Sequence, residues 1–249
     1  MPGNGAVTRS TLRQQLADAL RDEVLAGRLQ PGQEFTVKEI AEQYGVSATP
    51  VREALVDLSA QGLLEADQHR GFRVHEFSPA DYRGMIEARI LIIDGIFRNL
   101  TGRESEAAAE PVAGASGVAG YPVVSFTPRV EYQEGPRLAA ALAAVRRRGA
   151  EAQRAAEAGE LGILIGYDIR FWRELSVCYG NPYLADFLHR LRVQCWVCVV
   201  QHLRDVPDLR GRLWAGHTEL VDALARRDAT EALKVIGDYN AHSLSLIER

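Results

Sequence analysis

Between Thr36 and Leu55 the chain reads TVKEIAEQYGVSATPVREAL, and few folds accommodate that order of residues. Val37, Ile40, Ala41 and Tyr44 recur at i, i+3, i+4 and i+7, which sets one apolar stripe on a short helix. Gly45 ends it. Val46 returns to the core, and Ser47 stands where a second helix needs a cap. Pro50 falls in that helix's first turn, where a missing N–H costs little. Val51, Leu55 and Leu58 form its buried stripe. Two helices this short cannot bury their stripes against each other alone, so the spacing predicts a helix-turn-helix seated on further elements.

Those elements flank the motif. Leu12, Leu16, Leu20 and Val24 repeat every four residues and predict a leading helix that closes a three-helix core. After it, Leu63 and Leu64, the turn Asp67-Gln68-His69-Arg70-Gly71, then Phe72, Val74 and Phe77 predict two short strands around a basic hairpin tip. The outward face of the second helix carries Ser47, Ala48, Thr49 and Arg52. These are short enough to let backbone approach a groove and polar enough to meet base edges or phosphates.

Residues 8 to 77 resemble the winged helix of the GntR family of bacterial transcription regulators, with LQPGQEFTVKEIAEQYGVSATPVREALVDLSAQGLLEADQHRGFRV carrying the likeness. The resemblance implies DNA contacts at Lys38, Ser47, Ala48, Thr49, Arg52, Arg70 and Gly71, and the hairpin tip adds His69. Ala48 departs from the members that have Arg there. Residues 1 to 77 hold 8 Lys and Arg against 11 Asp and Glu, so attraction to phosphate must come from a local stripe of Arg9, Arg13, Lys38, Arg52, Arg70 and Arg73. Modest affinity per domain points to a homodimer reading a palindromic operator in double-stranded DNA.

The remaining 78–249 read as a second domain. Ser78, Pro79 and Asp81 mark its first helix start, and helical patterns follow at about 80–100, 136–158, 161–178, 182–204, 208–227 and 229–247. No βαβ alternation or glycine-rich nucleotide loop interrupts them. The fold class expected is mainly α: an N-terminal winged helix-turn-helix followed by an antiparallel all-α bundle. Residues 102–135 break the pattern and read as a loop insertion, with a small hairpin around Thr127-Pro128 as an option. No stretch approaches the roughly 18 apolar residues of a membrane span, no leader pattern opens the chain, and three unevenly spaced Cys argue against a disulfide framework; a cytoplasmic setting is expected.

Polar residues sit on the bundle's apolar faces: Asp168 among Ile165, Trp172 and Leu175; His217 among Leu213, Leu220, Val221 and Leu224; Tyr239 with Ala232 and Ile236. With Arg89 as counter-charge, they predict an effector pocket of Arg89, Asp168, Trp172, His217 and Tyr239. Residues 80 to 247 resemble the ligand-sensing domain of the FadR-like subfamily, in YDIRFWRELSVCYGNPYL and HTELVDALARRDATEALKVI. The resemblance implies an Asp and three His around a divalent metal that holds a carboxylate effector. Here Asp168 and His217 stand at two of the four positions, and Trp172 and Tyr239 occupy the others. Two ligands are poor for a Zn²⁺-like site. A metal would need His242, one turn past Tyr239; the expectation is no cofactor and a metal-free pocket for a small organic acid or acyl-type effector. Cys195, Cys198 and His202 share a helical face, which reads as packing.

The function expected is a ligand-responsive, homodimeric repressor. An architectural DNA-binding dimer without effector is the alternative. An enzyme using Asp168 and His217 lacks a third ligand, a general base and an oxyanion donor at readable spacing.

Overall fold

The computed structural model describes residues 11–67, 71–106, 136–178 and 181–247, with side chains from 97 to 106 and at 136 left aside. In chain order the elements are α1 (Leu12–Leu25), β1 (Glu34–Phe35), α2 (Val37–Tyr44), α3 (Ala48–Ala60), β2 (Leu64–Asp67), β3 (Gly71–Val74), α4 (Pro79–Glu106), α5 (Pro136–Ala158), α6 (Leu161–Val177), α7 (Pro182–Arg204), α8 (His217–Ala225) and α9 (Ala229–Ser245). They form two compact units: Met1–Arg83 with Arg190–Asp208, and Gly84–His189 with Leu209–Glu248.

In the first unit the expected stripes are buried. Leu16, Leu20 and Val24 of α1, Ile40 of α2, Val51, Leu55 and Leu58 of α3 and Leu63 are all buried, and α3 packs on both α1 and α2. Truncating one of the fully buried leucines costs about 2–5 kcal/mol in such a core. Leu12 departs from expectation at 47% exposed, because it is the first residue of its helix and has no facing turn to cover it. Thr36 caps α2 through a reciprocal box with Glu39. Its main-chain and hydroxyl donors hold the Glu39 carboxyl below the usual carboxylate range.

The wing contains one strand more than the sequence pattern shows. β2 and β3 pair antiparallel with Leu64 opposite Val74 and Asp67 opposite Gly71. β1, two residues just before α2, lies on the other edge of β3 with Phe35 opposite Phe72. Two residues are too few to show period-2 alternation. Phe77 lies beyond β3, with its ring 4.3 Å from that of His75.

In the second unit α5 packs on α6 and α8, and α8 on α9. α4 starts at the Ser78–Asp81 capping pair, in which Asp81 N–H donates to Ser78 Oγ at 3.1 Å and Ser78 N–H donates back at 2.9 Å. Asn181 Oδ1 caps α7 at Leu184 N–H, and Asp228 caps α9 at Glu231 N–H. α4 runs on to Glu106, past the end expected near 100, and the remainder of the 102–135 insertion, with its hairpin option, lies outside the described residues. The helix expected over 208–227 is shorter. Pro207 and the left-handed Gly211 hold 206–216 in turns, so α8 begins only at His217.

Candidate DNA-reading face and buried polar cluster

Ser47, Ala48, Thr49 and Arg52 are all exposed on the first turns of α3. Ser47 takes the N-cap position with extended backbone, yet its hydroxyl makes no cap hydrogen bond. The helix therefore presents its first N–H groups and a free hydroxyl outward, the arrangement that accepts a phosphate oxygen. Arg52, one turn on, forms no ion pair among the described residues. Lys38 sits 3.8 Å from Glu42, both strongly exposed, a separation worth little.

Two members of the expected cationic stripe are spent inside the unit. Arg13 makes a bidentate pair with Asp57, tying α1 to α3, and Arg73 pairs with Glu65 across β3 and β2. Arg73, and more weakly His75, hold the Glu65 carboxyl below its ordinary range. His69 and Arg70 lie outside the described residues, as does Arg9. Gly71 is explained by backbone alone: at φ +102° a Cβ would lie 2.6 Å from the carbonyl oxygen of Phe35.

In the second unit Asp168 and His217 do come together. Both are essentially without solvent exposure, and His217 Nε2 stands 3.0 Å from Asp168 Oδ1. The same oxygen accepts from Trp172 Nε1 at 2.9 Å. With Asp168 Oδ1 on the Nε2 side, the other ring nitrogen, Nδ1, points away from the carboxylate. That Nδ1 is buried and has no hydrogen-bond partner among the described residues. Rings surround the pair: Phe171 at 5.0 Å and Trp214 at 4.5 Å from the His217 ring, with Tyr239 at 4.7 Å from Trp214 and 5.0 Å from Trp172.

Tyr239 also faces Arg89, whose guanidinium carbon lies 4.5 Å from the ring centre. Arg89 is 1% exposed and donates to Asn240 Oδ1 at 2.8 and 3.1 Å, to the Tyr239 hydroxyl at 3.2 Å and to Ser243 Oγ at 3.2 Å. Every one of these acceptors is neutral. Among the described residues no carboxylate pairs with Arg89, so a full positive charge is buried with hydrogen bonds but without a counter-ion. Asn240, Ser243 and Trp214 were missed in the sequence. The first two extend the α9 stripe Ala232–Ile236–Tyr239 by one more turn, which was legible; Trp214 lies in a turn, where periodicity says nothing.

The expected metal set does not assemble. His242 is half-buried and does not join Asp168 and His217 in a group of three, and among the described residues no three His, Cys, Asp or Glu side chains gather to hold a metal ion. An indole N–H only donates, so Trp172 cannot replace a metal-binding imidazole. Asp168 and His217 are two ligands where a Zn²⁺-like site uses at least three.

Cys195 and Cys198 are buried, and burial pushes the Cys198 thiol up to about 11. His202 faces main chain, with Nδ1 3.3 Å from the Cys198 carbonyl oxygen. Packing is what this face does. The native chain should therefore react with an aromatic disulfide reagent at pH 7.5 about a hundredfold more slowly than free cysteine, because the thiolate is the nucleophile. Stoichiometric reaction at the free-thiol rate would contradict it.

Two family models match this chain. Residues 12–74 match the family model described as "Bacterial regulatory proteins, gntR family", and residues 136–239 match the FCD domain. A probable D-xylose utilization operon transcriptional repressor from Paenarthrobacter nicotinovorans is 38% identical over 109 residues, 44% of this chain and 48% of the relative. The HTH-type transcriptional regulator McbR from Escherichia coli strain K12 is 38% identical over 76 residues, 30% of this chain and 34% of the relative. The aligned stretch thus spans half or less of these relatives' length. The solved structure of Escherichia coli McbR/YncC superposes with a TM-score of 0.70 at 20% identity, covering 96% of this chain and 97% of that one. A GntR-type regulator structure from Rhodococcus sp. RHA1, whose function is assigned only provisionally, gives 0.62 at 17% identity over 95% and 97%. At these identities the likeness is one of fold.

Proposed function

Because the chain belongs to the GntR family of bacterial regulatory proteins and carries an FCD domain, we propose that it is a transcription regulator whose α3 reads double-stranded DNA and whose bundle binds a small anionic effector. The observation that carries the first half is the first turn of α3: exposed Ser47, Ala48 and Thr49, with Arg52 beside them, which forms no ion pair among the described residues. Its geometry is that of a recognition helix. Residues 1–77 are the DNA-binding domain in this reading and 78–249 the effector and dimerisation domain. The wing tip, His69, Arg70 and Gly71, is assigned to phosphate or minor-groove contact, and Lys38 to phosphate.

The effector half rests on two buried groups. Among the described residues no carboxylate pairs with Arg89 and no hydrogen-bond partner meets His217 Nδ1. A small organic acid would answer both, a carboxylate toward Arg89 and a hydrogen-bonding group toward His217, with Trp172 and Tyr239 against its apolar part. An architectural dimer has no use for either group. Effector binding is assigned to favour a homodimer geometry in which two recognition helices no longer fit adjacent major grooves, which makes the protein a repressor. Catalysis has no place in this reading. No described helix is long and apolar enough to cross a membrane, which agrees with a cytoplasmic regulator.

The test is selection of duplexes from a random-sequence pool by the full chain, followed by release with a panel of organic acids. A two-fold-symmetric sequence with half-sites about one helical turn apart is the expected product. Enrichment without sequence preference would overturn the reading. Dialysis against a chelator is expected to leave the melting temperature within about 1 °C, since nothing that binds the native state is removed. A fall reversed by zinc would contradict the metal-free assignment.

A further inference from the structure

The winged-helix unit is not made by the N-terminal segment alone. Arg190–Asp208 belong to it, and most of that stretch is the second half of α7. Two side chains from that half end on main-chain carbonyls of the DNA-binding helices. Gln194 Nε2 donates at 2.7 Å to the carbonyl of Gln61, the C-cap residue of α3. Arg204 Nη2 donates at 3.4 Å to the carbonyl of Leu25, the last residue of α1. Helix C-termini leave their last carbonyls without intrahelical donors and carry the negative end of the dipole, so an amide N–H and a guanidinium are apt partners. Gln61 is held from a second side: Arg21 of α1 donates to its side-chain oxygen at 3.1 Å.

The turns after both helices are open where α7 comes in. Gly62 has φ +73°, and a Cβ there would lie 2.6 Å from Gln194 Nε2. A Cβ on Gly27, the turn residue after α1, would fall on the Arg204 guanidinium. Two separate turns thus each lack a side chain at the point where one from α7 arrives.

The consequence lies at the other end of α3. Its 13 residues span about 20 Å, with Ser47 to Arg52 at the N-terminal end and Gln61 just beyond the C-terminal end. On a lever of about 20 Å, a tilt of about 5° moves the reading residues by nearly 2 Å, whereas binding constellations need placement within about 0.5 Å. We infer that Gln194 and Arg204 are positioning residues for DNA recognition: from α7 they fix the C-terminal ends of α3 and α1, and so the angle at which the first turn of α3 meets a groove. This rests on the proposal that α3 reads DNA.

The test uses the full chain with Gln194→Met and Arg204→Met, singly and together, against the duplex selected by the wild type and a scrambled duplex of equal length. For Gln194→Met the affinity for the selected duplex should fall about fivefold or more while scrambled-duplex binding stays within about twofold, because phosphate charges are untouched. The double variant should lose more, with a cooperative melting transition within about 3 °C of wild type. A stability effect alone would lower binding to both duplexes together, and that result overturns the inference, as does an unchanged ratio in both single variants. If the wild type selects no sequence, the DNA-reading proposal fails and takes this one with it. If it selects one and the variants discriminate equally well, only the positioning role is lost.

Discussion

Arg52→Ala is expected to reduce affinity for the selected duplex by about thirtyfold or more, with no change in the melting temperature beyond about 1 °C. Arg52 follows Ala48 by four residues and Thr49 by three, so the three share one outward face of α3. It is exposed and makes no ion pair among the described residues, so the folded state loses nothing when it is removed. A bidentate guanidinium on a guanine edge is worth about 1–3 kcal/mol, and a two-fold-symmetric complex would lose it at both half-sites. Titration by fluorescence anisotropy, beside a thermal melt of the same sample, reads both quantities. An affinity within threefold of wild type would show that α3 does not read bases through Arg52.

Asp168→Ala should act in the opposite manner, lowering stability while leaving the exposed face of α3 intact. The carboxylate is buried and accepts from the Trp172 indole and the His217 imidazole through one oxygen. Its removal strands two donors in an aromatic core and opens space beside Phe171 and Trp172. Two stranded donors and a cavity together cost about 3–5 kcal/mol. In a chain of this size that is a fall in melting temperature of about 6–20 °C. Asp168→Asn keeps an acceptor oxygen for both donors, loses only the carboxylate charge, and should fall less. A melting temperature within about 2 °C of wild type for the alanine variant would mean that the pair is solvated in solution, and the buried-cluster description would fail with it.

The DNA-reading part of the fold was legible in the sequence because local signals agree there. Apolar spacing, a glycine turn, Ser47 and Pro50 all point to the same two helices, and each helix buries the stripe that its periodicity marks. What escaped notice has no periodic signal. β1 is two residues long and exists only through its pairing with β3. The late start of α8 depends on Pro207 and Gly211 overriding an apolar repeat that runs through Leu213. The pairing of Arg13 with Asp57 and of Arg73 with Glu65 needed three dimensions, and it removes two cations from a stripe that the sequence made longer.

The bundle was legible in outline and less so in chemistry. Asp168, Trp172, His217 and Tyr239 were marked by polar or aromatic character on apolar faces, and they are neighbours. Their relation was not readable: Asp168 and His217 are hydrogen-bonded to each other, and among the described residues His242 does not join them in a group of three. Arg89 was expected to be a counter-charge. It is instead a cation held by the neutral side chains of Asn240, Ser243 and Tyr239.

The most direct measurement is an equilibrium titration of the full chain, at fixed physiological salt, against the selected duplex and a scrambled duplex of the same composition. A specific DNA reader binds its site at least about a thousandfold more tightly than other sequence. That ratio is the expected result, with a matching fall when Arg52 is replaced. Equal affinity for the two duplexes would contradict the assignment of α3 as a recognition helix.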